Sequence, residues 1–355
     1  MANLVVSKVC NLNCPYCFAE DYLQEVRPAS RSSGKMEESQ FISLSRFESH
    51  LDFLARSGID EIRLIGGEPT LHPKFPQLIE MAAKTSKRIV VFSHGLVPEH
   101  SLASLELLDP QVCTVLVNMN ASGKSGVASP REETKRLRVI QRLGKRTLLG
   151  FTICRPVFDL SPLIKIIREY GCQRGIRLGI AQPMLTGNNI YLRPKDYPLS
   201  GRRIRHFALQ AWDDGIRLEF DCGFVRCMFS ERDLNLLRQT QADLGWRCNP
   251  ILDIDLEGNV LHCFPLSSKF QHCLNGSSIA SELRGEMEAK SRPYRQIGIY
   301  KECFSCFYKH SGECSGGCLA NSMRRFKKDR FQVTIPAYME SQLNSTQNYD
   351  HFAQD

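Results

Sequence analysis

Three cysteines fall within eight residues near the start of the chain, Cys10, Cys14 and Cys17 in the stretch VCNLNCPYCF, and the next cysteine is Cys113. Thiolates are soft ligands that suit iron-sulfur clusters and zinc. A [4Fe-4S] cube normally takes four thiolates, so a compact loop offering three leaves one iron open to an outside ligand, much as catalytic zinc sites keep a position free. The alternative is a zinc knuckle of three cysteines and a histidine. The nearest histidine downstream is His50, with a predicted helix in between.

A second group is denser: Cys222, Cys227, Cys248, Cys263, Cys303, Cys306, Cys314 and Cys318 place eight thiols within 97 residues, enough for two sites of four thiolates. These sites suit clusters, and the paired cysteines from Cys303 onward also suit zinc. Each contiguous quartet closing its own site is one arrangement. Isolated Cys113, Cys154 and Cys172 read as core thiols, the commoner fate of lone cysteines.

The elements that must position these residues alternate at a steady interval. Short apolar runs at 3–7, 61–66, 88–93, 111–120, 147–154 and 176–182 read as strands buried on both faces, hence a parallel sheet. Amphipathic stretches at 45–58, 75–85 and 160–171 read as the intervening helices, the first and third stopping at a glycine. The expected fold class is α/β, an open or partial barrel of βα units. No internal repeat and no low-complexity segment stands out beyond the short loop at 29–35.

In such architectures chemistry gathers at the carboxyl ends of the strands. The cysteine triplet follows the first run, GGEPT (66–70) the second and SHG (93–95) the third; Asn118 and Asn120 close the fourth, and Gln182 closes the sixth. All are expected in one site.

Cys10-x3-Cys14-x2-Cys17, with Tyr16 before the last cysteine, resembles the radical S-adenosylmethionine (SAM) superfamily, and Gly66, Gly67, Glu68 and Pro69 match that family's glycine-rich turn after strand two. The resemblance implies a partial (β/α)6 barrel and a [4Fe-4S] cluster on the three cysteines, whose open iron chelates the amino and carboxylate groups of SAM. Glycines let backbone carbonyls approach a ligand, and Glu68 can offset an ammonium charge. Tyr16 falls where the family reads adenine. Asn118, Asn120 and Thr152 fall where it places polar groups near the ribose, and Ser93 stands in SHG where the family more usually has TNG.

Cys248-x9-Gly258-x4-Cys263 followed by Cys303-x2-Cys306-x7-Cys314-x3-Cys318 resembles the SPASM extension of these enzymes, which holds auxiliary [4Fe-4S] clusters. There are two departures: the Cys306–Cys314 spacing is longer than the family's, and no cysteine follows Cys318. The family pattern groups Cys227 or Cys222 with Cys248, Cys263 and Cys318 and leaves Cys303, Cys306 and Cys314 one ligand short, to be completed by Cys222, Cys273 or a carboxylate. The resemblance implies domains at 1–195 (barrel), 196–220 (a bridging helix and strand), 221–325 (the small cysteine-rich auxiliary-cluster domain) and 326–355 (a polar tail).

The chemistry so implied is one-electron cleavage of SAM to methionine and a 5'-deoxyadenosyl radical, which takes hydrogen from an unactivated C–H bond. No catalytic acid or base is identifiable, since the cofactor carries the reaction. Family members with such extensions most often modify peptides or proteins by crosslinking or side-chain oxidation. A ribosomally made peptide is therefore the expected substrate, with a small-molecule metabolite or a non-catalytic metal-binding role as the rivals. An external electron donor of flavodoxin or ferredoxin type is implied. The barrel beginning at residue 3 leads us to expect a separate leader-peptide-binding protein or a leaderless substrate.

Composition bounds the rest. The chain has 355 residues, 42% hydrophobic and 24% charged, enough for a large core plus a smaller unit. Fifteen cysteines without a secretory signal or an apolar run of spanning length point to a reducing compartment, hence a cytoplasmic protein with no membrane segment. The formal charge of +8 counts every thiol as neutral. Three clusters on eleven cysteines, each adding about one to two negative charges, bring it to roughly +3, so no nucleic-acid partner is expected. The basic runs at 202–205 and 324–330 read as solvated faces.

Overall fold

A computed structural model describes residues 1–19, 22, 38–120 and 129–324. The 29–35 loop, all but the first residue of the 324–330 basic run and the expected tail at 326–355 lie outside the described residues.

Six βα units follow one another as the apolar runs imply. The strands are β1 (Ala2–Ser7), β2 (Glu61–Gly66), β3 (Arg88–Ser93), β4 (Cys113–Asn118), β5 (Thr147–Ile153) and β6 (Gly175–Ile180). The helices after them are α1 (Leu44–Arg56), α2 (Phe75–Thr85), α3 (Glu99–Glu106), α4 (Pro130–Leu143), α5 (Ser161–Tyr170) and α6 (Tyr197–Asp213). A further strand, β7 (Arg217–Phe220), then pairs parallel with β6.

All neighbouring pairs from β1 to β7 are parallel and run in sequence order across the sheet. One face carries the main core. Leu4, Ile62, Leu64, Ile89, Val91, Val115, Val117 and Leu149 pack with Phe47, Leu51 and Leu54 of α1, Phe75 and Leu78 of α2, and Val139 and Ile140 of α4. Because successive strand residues face opposite ways, Val90, Leu116 and Leu148 form a separate small cluster with Phe92 on the other face. Arg177 on β6 lies over the Phe92 ring at 5.1 Å and pairs with Asp221 at 2.8 Å, so this inner face is apolar at its middle and charged along one side.

The cysteine-rich segment is not set apart by the sheet. Its short strands β8 (Asp253–Ile254), β9 (Asn259–Leu261) and β10 (Gln271–Cys273) extend the same sheet beyond β1, with β8 parallel to β1 and the other two antiparallel. The Asn3 side-chain amide donates to Asp253 at 2.6 Å, and Lys8 pairs with Glu257 at 3.0 Å. Helix α7 (Glu231–Gln239) precedes these strands and α8 (Ala280–Arg295) follows them. The basic residues Arg202 and Arg203 on α6 are exposed. Among the described residues no helix is long and apolar enough to cross a membrane.

Candidate functional site

The loop after β1 carries Cys10, Cys14 and Cys17, all half-buried, with Cys10 and Cys17 packed against the main core. Backbone hydrogen bonds fix this loop. The N–H of Gly67 donates to Ser7 at 2.7 Å, that of Glu68 to Val9 at 2.8 Å, and that of Ile190 to Pro15 at 2.7 Å. The first two explain the paired glycines at the end of β2. A Cβ on Gly66, which sits at φ +149°, would overlap the Ser7 carbonyl oxygen, and one on Gly67 would overlap that of Val9 and crowd Cys10. Only glycine lets the two strand-end loops approach this closely.

Glu68 is 1% exposed, and both its carboxylate oxygens are engaged. One accepts from the Thr70 hydroxyl at 2.6 Å; the other accepts from the His94 N–H at 2.9 Å and stands 3.2 Å from the His94 ring. Glu68 therefore clamps the turn to the end of β3, in addition to placing a negative charge there. Pro69 opens the single 3-10 turn that follows. Ser93 turns inward on its own loop, its hydroxyl accepting from the Gly95 N–H at 3.0 Å.

The polar residues at the ends of β4 and β5 meet. Asn118 donates to the Thr152 hydroxyl at 3.1 Å, Asn120 donates to the Thr152 carbonyl at 2.8 Å, and the Thr152 N–H donates to Asn120 at 2.6 Å. Tyr16 lies against Cys14; burial first, then the Cys14 charge, hold its phenol well above the ordinary range. Burial likewise pushes the Cys10 thiol up to about 12, with the charges of Glu68, Cys17 and Cys14 adding to it. Such a thiol becomes a thiolate when a metal displaces its proton. Gln182, just after β6, packs its amide against Gly223, next to Cys222, and reaches the Tyr197 hydroxyl at 3.4 Å; among the described residues its side-chain oxygen is buried without a partner. Cys113 and Cys172 are buried, and Cys154 is half-buried near Tyr16 and Cys14.

The role of His94 and the presence of Arg136 escape sequence reasoning. His94, within the expected SHG motif, bridges the site, its ring 2.7 Å from the Asn11 side-chain oxygen. Arg136, buried on α4, donates to the His94 carbonyl at 2.9 Å; among the described residues one of its guanidinium nitrogens has no partner, and its charge lies within reach of Tyr16 and Cys14. Its spacing from Val139, Ile140 and Leu143 puts it on the buried stripe of the helix, a signal that its charge disguises.

The auxiliary thiols also assemble. Cys248 and Cys318 are buried together with Leu185, Leu266, Phe270 and Leu319, and Cys263 packs on that cluster. A hydrogen bond from Cys318, then the charge of Arg295, draw the Cys248 thiol below its usual value. Cys303 lies close under Gly298, and the N–H of Cys306 donates to its carbonyl at 3.4 Å, within the same turn. Among the described residues, no three His, Cys, Asp or Glu side chains stand close enough to share a single metal ion. The half-buried triplet, its glycine-stitched loop and its all-sulfur donor set fit a cluster with one open iron.

A sheet of sequential parallel strands with a three-thiolate loop after the first and a glycine turn after the second is the frame of a radical SAM domain, and the family model for the Radical SAM superfamily matches residues 4–125. The chain thus carries a radical SAM domain, whose cofactors are a [4Fe-4S] cluster and SAM. Curated relatives include a GTP 3',8-cyclase of Chlorobaculum tepidum, 31% identical over 104 residues (29% of this chain, 28% of the relative). Another, from Aeromonas hydrophila, is 35% identical over 82 residues (23% and 22%). The chain therefore spans under a third of these relatives' length. Solved structures resemble nearly the whole chain. anSMEcpe with bound AdoMet and a Cp18Cys peptide aligns over 99% of this chain and 96% of its own, with TM-score 0.62 and 16% identity. Streptococcus suis SuiB bound to precursor peptide SuiA aligns over 94% and 74%, with TM-score 0.63 and 15% identity. At these identities the likeness establishes a common fold.

Proposed function

We propose that this protein is a radical SAM enzyme that modifies a peptide or protein, with Cys10, Cys14 and Cys17 holding the catalytic cluster and the thiols from Cys222 to Cys318 holding auxiliary clusters. Held there, the cluster and SAM would supply one-electron chemistry for hydrogen abstraction from the substrate. The chain's own residues do the rest. Gly66 and Gly67 bring the β2 turn against the cluster loop, and Glu68 locks that turn to His94. Tyr16 offers a partly buried wall beside Cys14, and Asn118, Asn120 and Thr152 form a polar rim at neighbouring strand ends that suits a ribose.

The observation that carries the peptide reading is the extent of the structural likeness: it runs through the cysteine-rich segment as well as the barrel, and the aligned anSMEcpe and SuiB structures hold peptides. The GTP 3',8-cyclase relatives favour a second reading, a nucleotide substrate. Their likeness spans under a third of the chain, and the family match at 4–125 is where the cluster and SAM motifs stand, so it speaks chiefly to cofactor binding.

The deciding experiment adds reductant and SAM to the anaerobically loaded protein and measures 5'-deoxyadenosine with GTP or with a small-peptide extract. Stimulation by the extract that protease treatment abolishes is the expected result. Stimulation by GTP with conversion of the GTP overturns the peptide reading.

A further inference from the structure

With Cys318 grouped with Cys248 and Cys263, the segment from Cys303 to Cys314 brings three thiols to the second auxiliary site. Cys222 and Cys227 stand five positions apart and would both be assigned by proximity in sequence to the same site. The fold separates them.

Cys222 follows β7 at the edge of the inner face, beside Asp221, and its thiol neighbour is Cys248. Cys263 in turn faces Cys248 and Cys222, and Cys318 is hydrogen-bonded to Cys248. The Cys248 N–H is held by the Ser315 hydroxyl at 2.9 Å, which ties this group to the segment leading into Cys318. These four thiols form one set.

Cys227 lies in the 3-10 turn Arg226–Met228 that follows. Its neighbour Arg226 is locked onto the other cysteine segment by two contacts of different kinds. The guanidinium pairs with Glu313 at 3.1 Å and lies 3.6 Å from the centre of the Tyr308 ring. Glu313 precedes Cys314 directly, and the Tyr308 carbonyl accepts from the Cys314 N–H at 2.8 Å. The turn is thereby held against the loop from Cys303 to Cys314, and the thiols that Cys227 faces are Cys303, Cys314 and Cys306. Lys309 adds a positive charge beside the same three sulfurs, which suits an anionic cluster. The other candidate, Cys273, is exposed as Cys227 is, but it lies on β10 with its thiol directed to the Asn259 side-chain oxygen at 3.1 Å.

We propose that Cys227 is the fourth thiolate of the second auxiliary cluster, closing the set of Cys303, Cys306 and Cys314, while Cys222 completes the first set with Cys248, Cys263 and Cys318. The turn Arg226–Met228, upstream in sequence, thus supplies the thiol that the Cys303–Cys314 segment lacks. Both auxiliary clusters are then fully ligated by thiolates, neither offers an open iron to a substrate, and substrate binding falls to the protein surface lining the barrel.

This inference rests on the auxiliary-cluster reading, and the test separates the two. The full chain is loaded anaerobically, its iron is counted, and it is treated with iodoacetamide before and after iron chelation, with each cysteine mapped by mass spectrometry. About four irons per chain would defeat the auxiliary-cluster reading itself. With roughly eight to twelve irons, Cys227 should be protected as Cys303 is and become labelled after chelation, whereas exposed Cys273 is labelled throughout. Labelling of Cys227 at the rate of Cys273 in the loaded protein overturns the assignment. As an independent check, Cys227→Ala should remove about four irons in a Cys248→Ala, Cys263→Ala background and none further in a Cys303→Ala, Cys306→Ala background. Further loss in the second background also overturns it.

Discussion

Glu68 accepts a hydrogen bond from the His94 backbone N–H at 2.9 Å, so a single buried carboxylate joins the loops that end the second and third strands. The same side chain accepts from the Thr70 hydroxyl at 2.6 Å, which fixes the turn whose glycines meet the cluster loop. In Glu68→Gln one acceptor oxygen becomes a donor facing these N–H and O–H groups. A buried hydrogen bond to a charged group is worth about 1.5–3 kcal/mol, so SAM affinity should fall roughly tenfold or more. Iron content should be unchanged, because no ligand is touched. Equilibrium binding of SAM to the loaded variant measures this, and unaltered affinity would remove Glu68 from the site.

The cysteine triplet should account for its own cluster. Changing Cys10, Cys14 and Cys17 together to alanine is expected to remove about four of the roughly eight to twelve irons and to abolish 5'-deoxyadenosine formation. The remaining iron belongs to the thiols from Cys222 onward. Iron content equal to that of the unaltered protein would show that the triplet binds no cluster.

Much of this arrangement is legible in the sequence, for reasons the structure makes plain. Strands of a parallel sheet covered on both faces are continuous apolar runs, so β1 to β6 announce themselves, and the chemistry-bearing motifs sit at their ends because the loops converge there. The strands β8, β9 and β10 are two or three residues long and carry no readable period. They exist because Asp253 meets Asn3, 250 residues away, a pairing that only the folded chain defines. The same holds for Cys222 and Cys227, which are near neighbours in sequence yet face different thiol sets because the intervening turn is anchored by Arg226. Gln182 is legible as the polar close of the sixth apolar run, whereas the packing of its amide against Gly223 is defined only by the fold.

His50 gives the fold a pH dependence of defined sign. It is buried on α1, its ring close to Gly258 in the turn between β8 and β9, and burial, helped by the Arg46 charge, lowers it from 6.5 to about 4. Between those values the unfolded chain binds the proton and the folded chain does not, so stability is present above about pH 6.5 and is lost as pH falls towards 4. The full effect is at most about 3 kcal/mol. Unfolding midpoints measured across this range should slope less steeply in His50→Gln than in the unaltered protein. Parallel slopes would show that the imidazole protonates equally in both states.

The auxiliary thiols provide the sharpest separation between a structural and a working role. If they served only to hold the fold together, replacing Cys248 and Cys263 by alanine would destabilise the chain, but whatever protein folded would still couple SAM cleavage to product. Cys248 lies buried with Cys318 in a small apolar cluster of its own, apart from the core that packs against Cys10 and Cys17. Loss of the auxiliary set should therefore leave the catalytic cluster in place, and 5'-deoxyadenosine should still form in Cys248→Ala, Cys263→Ala. What should disappear is modified substrate, because a substrate radical that must give up an electron has lost its acceptor. Mass spectrometry of the peptide products, set against 5'-deoxyadenosine in the same reaction, reads the coupling directly. Normal product yield from this variant would reduce the auxiliary set to a structural element, and zinc near one equivalent with only about four irons in the unaltered protein would identify it as a zinc module.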